Sequence, residues 1–566
     1  MSDKASTRPD RWWAMLPAAR WLGQYRWSWL GPDAVAGITL AAYAIPVSMA
    51  YATLAGLPPQ TGIYGYLIGG LFYALLGSSR HLAIGPTSAI SLLVGVTVAT
   101  MAGGDAARFA AIAGLTALLV GAMCLLAWLL RLSALVNFIS ETVLVGFKAG
   151  AALTIALTQL PKLFGVPGGG EHFIERVVHL AGQLGELNLV VLAFGLAAIV
   201  LLVAGNRLLP GRPVALAVVV LAISVMSMTA LQERGVTIVG ALPEGLPSLT
   251  LPSLRPRDVD GILPLAFAVF LLAYIEGVSA ARALAERNGY KIDARQELLG
   301  LGAANIAASF GQGYPVAGGL SQSAVNEKAG AKSPLALVFA SATLALCLLF
   351  LTSLLRNLPN VMLAAIVLVA VAGLIDVKQF RELWRINRLE FWVAMAALLG
   401  VLALGILKGV MLAALFSMLL LIARAARPHV AFLGRIPGTR HYSDLERHPE
   451  NERIPATIIF RVEAGLVYFN VDHVHEVVMR HVQAESAPPR VVIADLSNVP
   501  IVDLAGARML AALHGELMKA GASLRIVEAH AKVRDMLRAA DVERLVGPIG
   551  RRYTVDEVIR EIEAGV

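Results

Sequence analysis

Ile84-Gly85-Pro86-Thr87-Ser88-Ala89 opens a run that stays apolar only from Ile90 to about Met101, and Gly311-Gln312-Gly313-Tyr314-Pro315-Val316-Ala317-Gly318-Gly319 precedes another that ends near Asn326. Each run is too short to cross a bilayer, which takes about 20 apolar residues in a helix. Both lie among segments that are long enough. Between Asp33 and Arg424 about fourteen apolar stretches recur, centred near Ala44, Gly70, Leu93, Val120, Gly150, Ala197, Val218, Leu271, Ala304, Val325, Leu344, Leu368, Ala397 and Ala414. The interrupted runs are the third and the tenth, the same place in two halves of seven. That is the mark of an inverted repeat, in which half-helices start near the midplane and form a site. Kinks inside ordinary helices are the alternative, but Gly318-Gly319 would weaken a spanning helix for no packing gain.

Composition agrees with a membrane protein. Of 566 residues 57% are hydrophobic and 15% charged, with a mean hydropathy of +0.69, whereas soluble domains carry about 25% charge. Residues 455–566 hold 13 of the 47 Lys+Arg and 15 of the 39 Asp+Glu, so the basic excess belongs to the preceding part. Basic residues beside membrane spans set orientation and meet anionic headgroups; the pI near 9.5 is therefore no sign of nucleic-acid binding. Cys124 and Cys347 each sit in an apolar stretch, which offers neither a disulfide framework nor a thiolate metal site. With a cytosolic N-terminus, the inside connections would hold sixteen Lys and Arg, Lys378, Arg381 and Arg385 among them, and the outside ones seven. This asymmetry predicts an even number of crossings and both termini in the cytosol. Residues 1–30, with Lys4, Arg8, Arg11, Trp12 and Trp13, read as an interfacial segment rather than a signal peptide.

After Arg427 the character changes. Residues 428–454, charged and with Pro437 and Pro449, read as a linker. Strands are expected over Ala456–Phe460, Leu466–Phe469, Val491–Asp495 and Ser523–Val527, with an amphipathic helix over Asp503–Lys519. Alternating strands and helices make 455–566 a small α/β domain.

Within the apolar part, Glu276 is the leading chemical candidate, since Asp260 and Arg282 are its nearest charged neighbours along the chain. Ionisable residues inside a membrane are costly and mark functional sites. Held out of water, a carboxylic acid favours its neutral form, which makes Glu276 a candidate proton carrier; a permanently protonated core residue is the alternative. A sodium site would need several oxygens, and only Ser279 supplies a hydroxyl one helical turn away. Lys148, seven residues after Glu141, is the second intramembrane charge and reads as a structural ion pair or a snorkelling side chain rather than a ligand. The broken segments supply an anion argument. A helix N-terminus exposes unpaired N–H groups and carries about half a positive charge, so two such ends at Thr87-Ser88 and Gly319-Leu320-Ser321 would hold an anion without a cationic side chain. Neither segment has Lys or Arg before Lys328, which favours a small monovalent anion over a dianion. No phosphate-cradling loop and no Gly-x-Ser-x-Gly elbow occur, so an enzyme is not expected, and no cofactor is implied. His473-x-His475 reads as a solvated pair on a strand.

At these residues the chain resembles the sulfate permease (SulP) family of anion transporters, related in fold to uracil and purine permeases. The resemblance rests on Ala42-Tyr43-Ala44-Ile45-Pro46 through Gly56-Leu57-Pro58-Pro59, on Gly77-Ser78-Ser79-Arg80-His81-Leu82-Ala83-Ile84-Gly85-Pro86, on Asn288-Gly289-Tyr290-Lys291-Ile292-Asp293, and on Ser321-Gln322-Ser323-Ala324-Val325-Asn326. Asp495-Leu496-Ser497-Asn498 and Asp503-Leu504-Ala505-Gly506 resemble the STAS domain. The resemblance implies a polytopic α-helical membrane protein with 14 TM helices in a 7+7 inverted repeat. Its UraA-like core (TM1–4 and TM8–11) and gate (TM5–7 and TM12–14) would occupy 31–427, with a cytosolic STAS domain over 455–566. It further implies an elevator-like mechanism in the inner membrane, a homodimer, and a protein partner at the STAS domain. Bicarbonate, chloride, sulfate or a dicarboxylate would be carried, coupled to H+ or to Na+. Tyr51, Thr87 and Ser321 fall at anion-pocket positions, with Ser88, Gly319, Leu320 and Gln322 beside them; Glu276, with Ser279, falls at the coupling position. Many members carry Gln where this chain has Val47 and Arg where it has Gln322, which weakens the case for sulfate. Leu504 and Ala505 stand at the two places where the antagonist proteins carry serines, so no phosphorylation switch is expected there. A sodium-coupled bicarbonate transporter, an uncoupled channel and a membrane anion sensor are the alternatives.

Overall fold

The computed structural model describes residues 17–133, 141–170, 172–209, 212–252, 255–485, 487–550 and 553–564; the basic and aromatic residues from Lys4 to Trp13 lie outside these. The chain forms two units, Met1–Ser417 and Met418–Val566.

In the first unit the expected centres each fall inside a helix. These are α1 (Leu30–Leu54), α2 (Gln60–Leu76), α3 (Ser88–Ala102), α4 (Ala106–Leu129), α5 (Glu141–Phe164), α6 (Leu189–Leu208), α7 (Val214–Met228), α8 (Pro256–Arg287), α9 (Ala294–Phe310), α10 (Leu320–Lys328), α11 (Leu335–Phe350), α12 (Asn360–Ala372), α13 (Arg388–Leu404) and α14 (Ile406–Ala426), the unit boundary falling within α14. Among the described residues six helices are long and apolar enough to cross a membrane unaided. By contrast α3 has 15 residues and α10 has 9. At 1.5 Å per residue they reach only about 22 and 13 Å of a core some 30 Å thick.

What shortens them is the chain before each. Ile84–Gly85 (β1) and Ala317–Gly318 (β2) pair antiparallel, Ile84 opposite Gly318 and Gly85 opposite Ala317. Side chains complete the tie. Ser323 Oγ accepts from the Ala83 N–H at 2.8 Å, and Asn326 Nδ2 donates to the His81 carbonyl at 3.1 Å. The fully buried Asn305 of α9 accepts from Val316 N–H at 3.0 Å and donates to the Val316 carbonyl at 2.9 Å. Glu297, also buried on α9, takes hydrogen bonds from the Tyr73 and Ser78 hydroxyls and from the Ser78 and Ser79 N–H groups. Every backbone group held out of water needs a partner in the protein, and these buried polar side chains provide them.

Helix packing sorts into two groups. α9 lies on α2 and α4, α8 on α3 and α4, α11 on α1 and α2, and α10 on α1; separately, α5 packs on α6, α12 and α13, α12 on α6, and α6 on α7. The groups meet where α1 touches α7 and α12 and where α3 touches α5. At the start of α1, buried Asp33 accepts from Lys332 N–H, Ser333 N–H and Ser333 Oγ at 2.6, 3.1 and 2.6 Å, anchoring the connection between α10 and α11.

The second unit is a five-stranded sheet, in the order β4-β3-β5-β6-β7, built from β3 (Val430–Arg435), β4 (Tyr442–Asp444), β5 (Thr457–Val462), β6 (Val491–Asp495) and β7 (Ser523–Val527). β5, β6 and β7 run parallel, and β3 and β4 are antiparallel additions. Helices α15 (Val471–Ala484), α16 (Leu504–Lys519), α17 (Ala531–Ala539), α18 (Val542–Val546) and α19 (Val555–Glu563) complete it. The segment 428–454, read as a linker, therefore contributes two strands: Val430 to Phe432 pair with β5, and β4 takes an edge position, where charged flanks are tolerated. Leu466–Phe469 is no strand but a turn with a single bridge from Leu466 to Val502. Asp503 holds that turn, capping α16 through Gly506 N–H and accepting from Tyr468 N–H, each at 2.8 Å. His473 and His475 lie on α15, not on a strand, and His475 pairs with Glu516.

Replacing Asn305 by Ala orphans the Val316 N–H and carbonyl at a buried place, at about 1–3 kcal/mol for each group. The thermal midpoint of the detergent-purified protein should drop; an unchanged midpoint would show that α9 does not hold β2.

Candidate functional site

Between the two helix groups of the first unit lies a cavity of about 340 Å³. One wall comes from α1, from the turn between β1 and α3, from α8 and from the start of α10. The other comes from α5 and the end of α12. All nine candidate residues lie on it: Tyr51, Thr87, Ser88, Glu276, Ser279, Gly319, Leu320, Ser321 and Gln322. They reach it for separate local reasons.

Thr87 and Gly319 are the N-caps of α3 and α10, both extended, and neither makes a side-chain cap hydrogen bond. The first-turn N–H groups of both helices are thus left without the capping oxygen that usually takes one of them. The Thr87 hydroxyl turns instead to Glu276, donating to Oε2 at 3.5 Å. Ser88 faces the phenol of Tyr51 from α1. On α10, Ser321 and Leu320 are exposed to the cavity, whereas Gln322 is buried and its amide leans toward the Ala317 carbonyl at 3.4 Å, so that it steadies the loop as well as lining the site.

Glu276 stands beside the start of α10 because of its neighbour in sequence. A Cβ on Gly318 would meet the Leu82 side chain at 2.8 Å and the Gly277 Cα at 3.0 Å. Two glycines therefore let the α8 backbone approach β2, and the residue before Gly277 is carried to the cavity edge.

The opposite wall was not foreseen. Val145 and Lys148 of α5, Ala370 of α12, and Gly373, Leu374, Asp376 and Gln379 after it complete the lining. Lys148, read as a structural charge, is half-buried and faces Glu276 electrostatically across the cavity; the side chain of its expected partner, Glu141, lies outside those described. Asp376 is the second lining carboxylate, and it caps the short helix Val377–Ile386 by accepting from the Gln379 N–H at 3.0 Å. The signal that marks this wall in the sequence is the repeat itself: α5 and α12 are the fifth helix of each half. Two uncapped helix starts, several hydroxyls and one lysine around a cavity of this volume can hold a small anion.

A profile of the sulfate permease family matches residues 30–397, and one of the STAS domain matches residues 448–558. A probable sulfate transporter of Mycobacterium tuberculosis is 34% identical, the match covering 93% of this chain and 94% of that protein. The chloroplastic sulfate transporter 4.1 of Arabidopsis thaliana is 32% identical over 94% of this chain and 80% of its own length. Among solved structures, the murine solute carrier 26 family member A9 anion transporter in its inward-facing state aligns with a TM-score of 0.89 at 23% identity, covering 100% of this chain and 96% of that one. The transmembrane domain of the cyanobacterial bicarbonate transporter BicA aligns with a TM-score of 0.60 at 22% identity, over 70% of this chain and 98% of that one. These two likenesses concern the fold.

A carboxylate placed on an uncapped helix start would occupy it permanently. Gly319→Asp is tolerated by the backbone, φ being −90°; its Cβ would meet the Gln322 amide at 2.7 Å and turn that flexible side chain aside, a cost that the new cap, worth about 0.5–2 kcal/mol of helix stability, offsets. The variant should keep its thermal midpoint while anion affinity falls by about tenfold or more, as read from binding of labelled anion; undiminished affinity would remove the α10 terminus from the site.

Proposed function

Since this chain belongs to the sulfate permease family, we propose that it is a proton-coupled symporter of a small inorganic or carboxylate anion. It is a multi-pass membrane protein and an anion transporter, not an enzyme. The single observation that carries the finer reading is the meeting of two uncapped half-helix starts with a membrane carboxylate on one cavity wall. The amides of Ser88–Ile90 and Leu320–Gln322 and the hydroxyls of Thr87, Ser88 and Ser321 bind the anion; Tyr51 closes the site from α1; Glu276 takes up the proton, with Ser279 beside it.

The division into two helix groups supports a movement of one against the other, with α1–α4 and α8–α11 as the moving core and α5–α7 and α12–α14 as the gate. The helix-start amides and the hydroxyls all sit on the first group, so the anion would travel with them. In this reading the protein is a homodimer in a cell's inner membrane, with both termini in the cytosol and the STAS domain open to a cytosolic partner.

The relatives named for sulfate bear on the substrate. A dianion was disfavoured because neither half-helix carries a nearby cation. Lys148 reaches the cavity from another helix, so that objection loses its force, and sulfate joins chloride, bicarbonate, fumarate and succinate as substrates to be tested.

In proteoliposomes the imposition of an acid-outside pH gradient should drive uptake of at least one labelled anion of this panel, and Glu276→Gln should remove the pH-driven part, about a tenfold loss or more. The same gradient dependence in wild type and variant would refute coupling through Glu276; a sodium gradient without a pH gradient serves as the control for the competing ion.

A further inference from the structure

Lys148 is a half-buried cation on a membrane-spanning helix, and among the described residues no carboxylate lies within ion-pair distance of it. A charge held in such a place is unstable unless something answers it. Its surroundings can be enumerated. From α1 the cavity presents the phenols of Tyr43 and Tyr51; from the two half-helices it presents hydroxyls and the Gln322 amide; from α8 it presents Glu276; and from beyond α12 it presents Asp376. Asp376 is committed to its helix cap. Glu276, which receives only a long hydrogen bond from Thr87 at 3.5 Å, is the one lining carboxylate not held in this way, and the Lys148 charge acts on it.

We propose that Lys148 answers one exchangeable negative charge at a time, from across the cavity that of the Glu276 carboxylate while no anion is bound, and that of the transported anion once Glu276 has taken a proton. This rests on the transporter reading above and states how its two ions are linked. The charges balance at each stage. Empty, the ammonium and the carboxylate sum to zero. A proton from water binds a Glu276 oxygen, the carboxylic acid no longer answers the ammonium, and a monovalent anion restores the sum to zero; a dianion leaves one net negative charge. The anion thereby raises the proton affinity of Glu276, and the proton raises the affinity for the anion by the same factor, since coupling between two binding events is reciprocal. Lys148 lies in the α5 group and Glu276 in the α8 group, so the ammonium is supplied by the wall opposite the helix starts.

The test is equilibrium binding of labelled sulfate, and separately of chloride, to the reconstituted full chain between pH 5 and 8. In wild type, affinity should weaken with rising pH, approaching about tenfold per pH unit where one proton is linked. Glu276→Gln should bind tightly with a flat profile, because nothing competes for the ammonium. Lys148→Gln should also be flat but at least about tenfold weaker than wild type at pH 5, and Lys148→Arg should restore the slope. Lys148→Met, apolar and of similar length, carries the same expectation should the Gln variant fail to fold. A Lys148→Gln or Lys148→Met protein that keeps the wild-type slope would overturn the exchange while leaving proton coupling through Glu276 intact. A flat wild type that Glu276→Gln does not change, or a wild type that binds neither anion, would overturn both.

Discussion

A polypeptide inside a bilayer has no water to turn to, so each peptide group that is not in a helix must be answered by the protein itself. This chain leaves the helix twice at depth, over 77–87 and 311–319, and the structure is arranged around answering those two stretches. The ladder of β1 and β2 takes the peptide groups that face each other; Asn305, Ser323, Asn326 and Glu297 take others. The arrangement shortens α3 and α10, and at one place the answering stops. The starts of these two helices carry no cap, and there the donors face a cavity instead of protein. A binding site for negative charge is thus what remains when the rest of a broken backbone has been satisfied.

The charges around that opening follow from how the helices divide. Both helix starts and Glu276 come from the group holding α1–α4 and α8–α11, the last brought in by the close approach of Gly277 to Gly318. Lys148 and Asp376 come from the other side. Donors on one wall and a cation on the other mean that the field across the cavity depends on the separation of the two groups, a property that a site built on a single rigid group would not have.

Much of this was legible in the sequence, for physical reasons that differ from residue to residue. Gly and Pro clusters inside apolar runs are strong local signals, and two of them at matching places in seven-segment halves announce an inverted repeat. A lone carboxylate amid apolar residues, as at Glu276, is conspicuous because membranes penalise it. The far wall left no such trace: which helix lies across from α8 is decided by tertiary packing, and periodicity along α5 is silent on it. That is why Lys148 was read as structural. In the second unit the dense charges of 435–453 suggested a solvated linker, since an edge strand such as β4 presents polar residues on most sides. Helix and strand are confused at His473-x-His475 because two histidines two positions apart match a strand's spacing, whereas Val471, Val474, Val478 and Val482, which α15 buries, recur at the helical period.

The anchor at Asp33 has a bearing on how the protein is made. Its three donors come from residues 332 and 333, 300 positions further along the chain in the case of Ser333. At about 5–20 residues per second of synthesis, the first helix stands in the membrane for roughly 15–60 s before its carboxylate meets them. β1 waits almost as long for β2. The two halves of the repeat are each incomplete at their most polar points until both have emerged, so the insertion machinery must tolerate a nascent chain whose early helices carry unanswered polar groups, and nonsense or frameshift products ending before residue 317 would expose them for good.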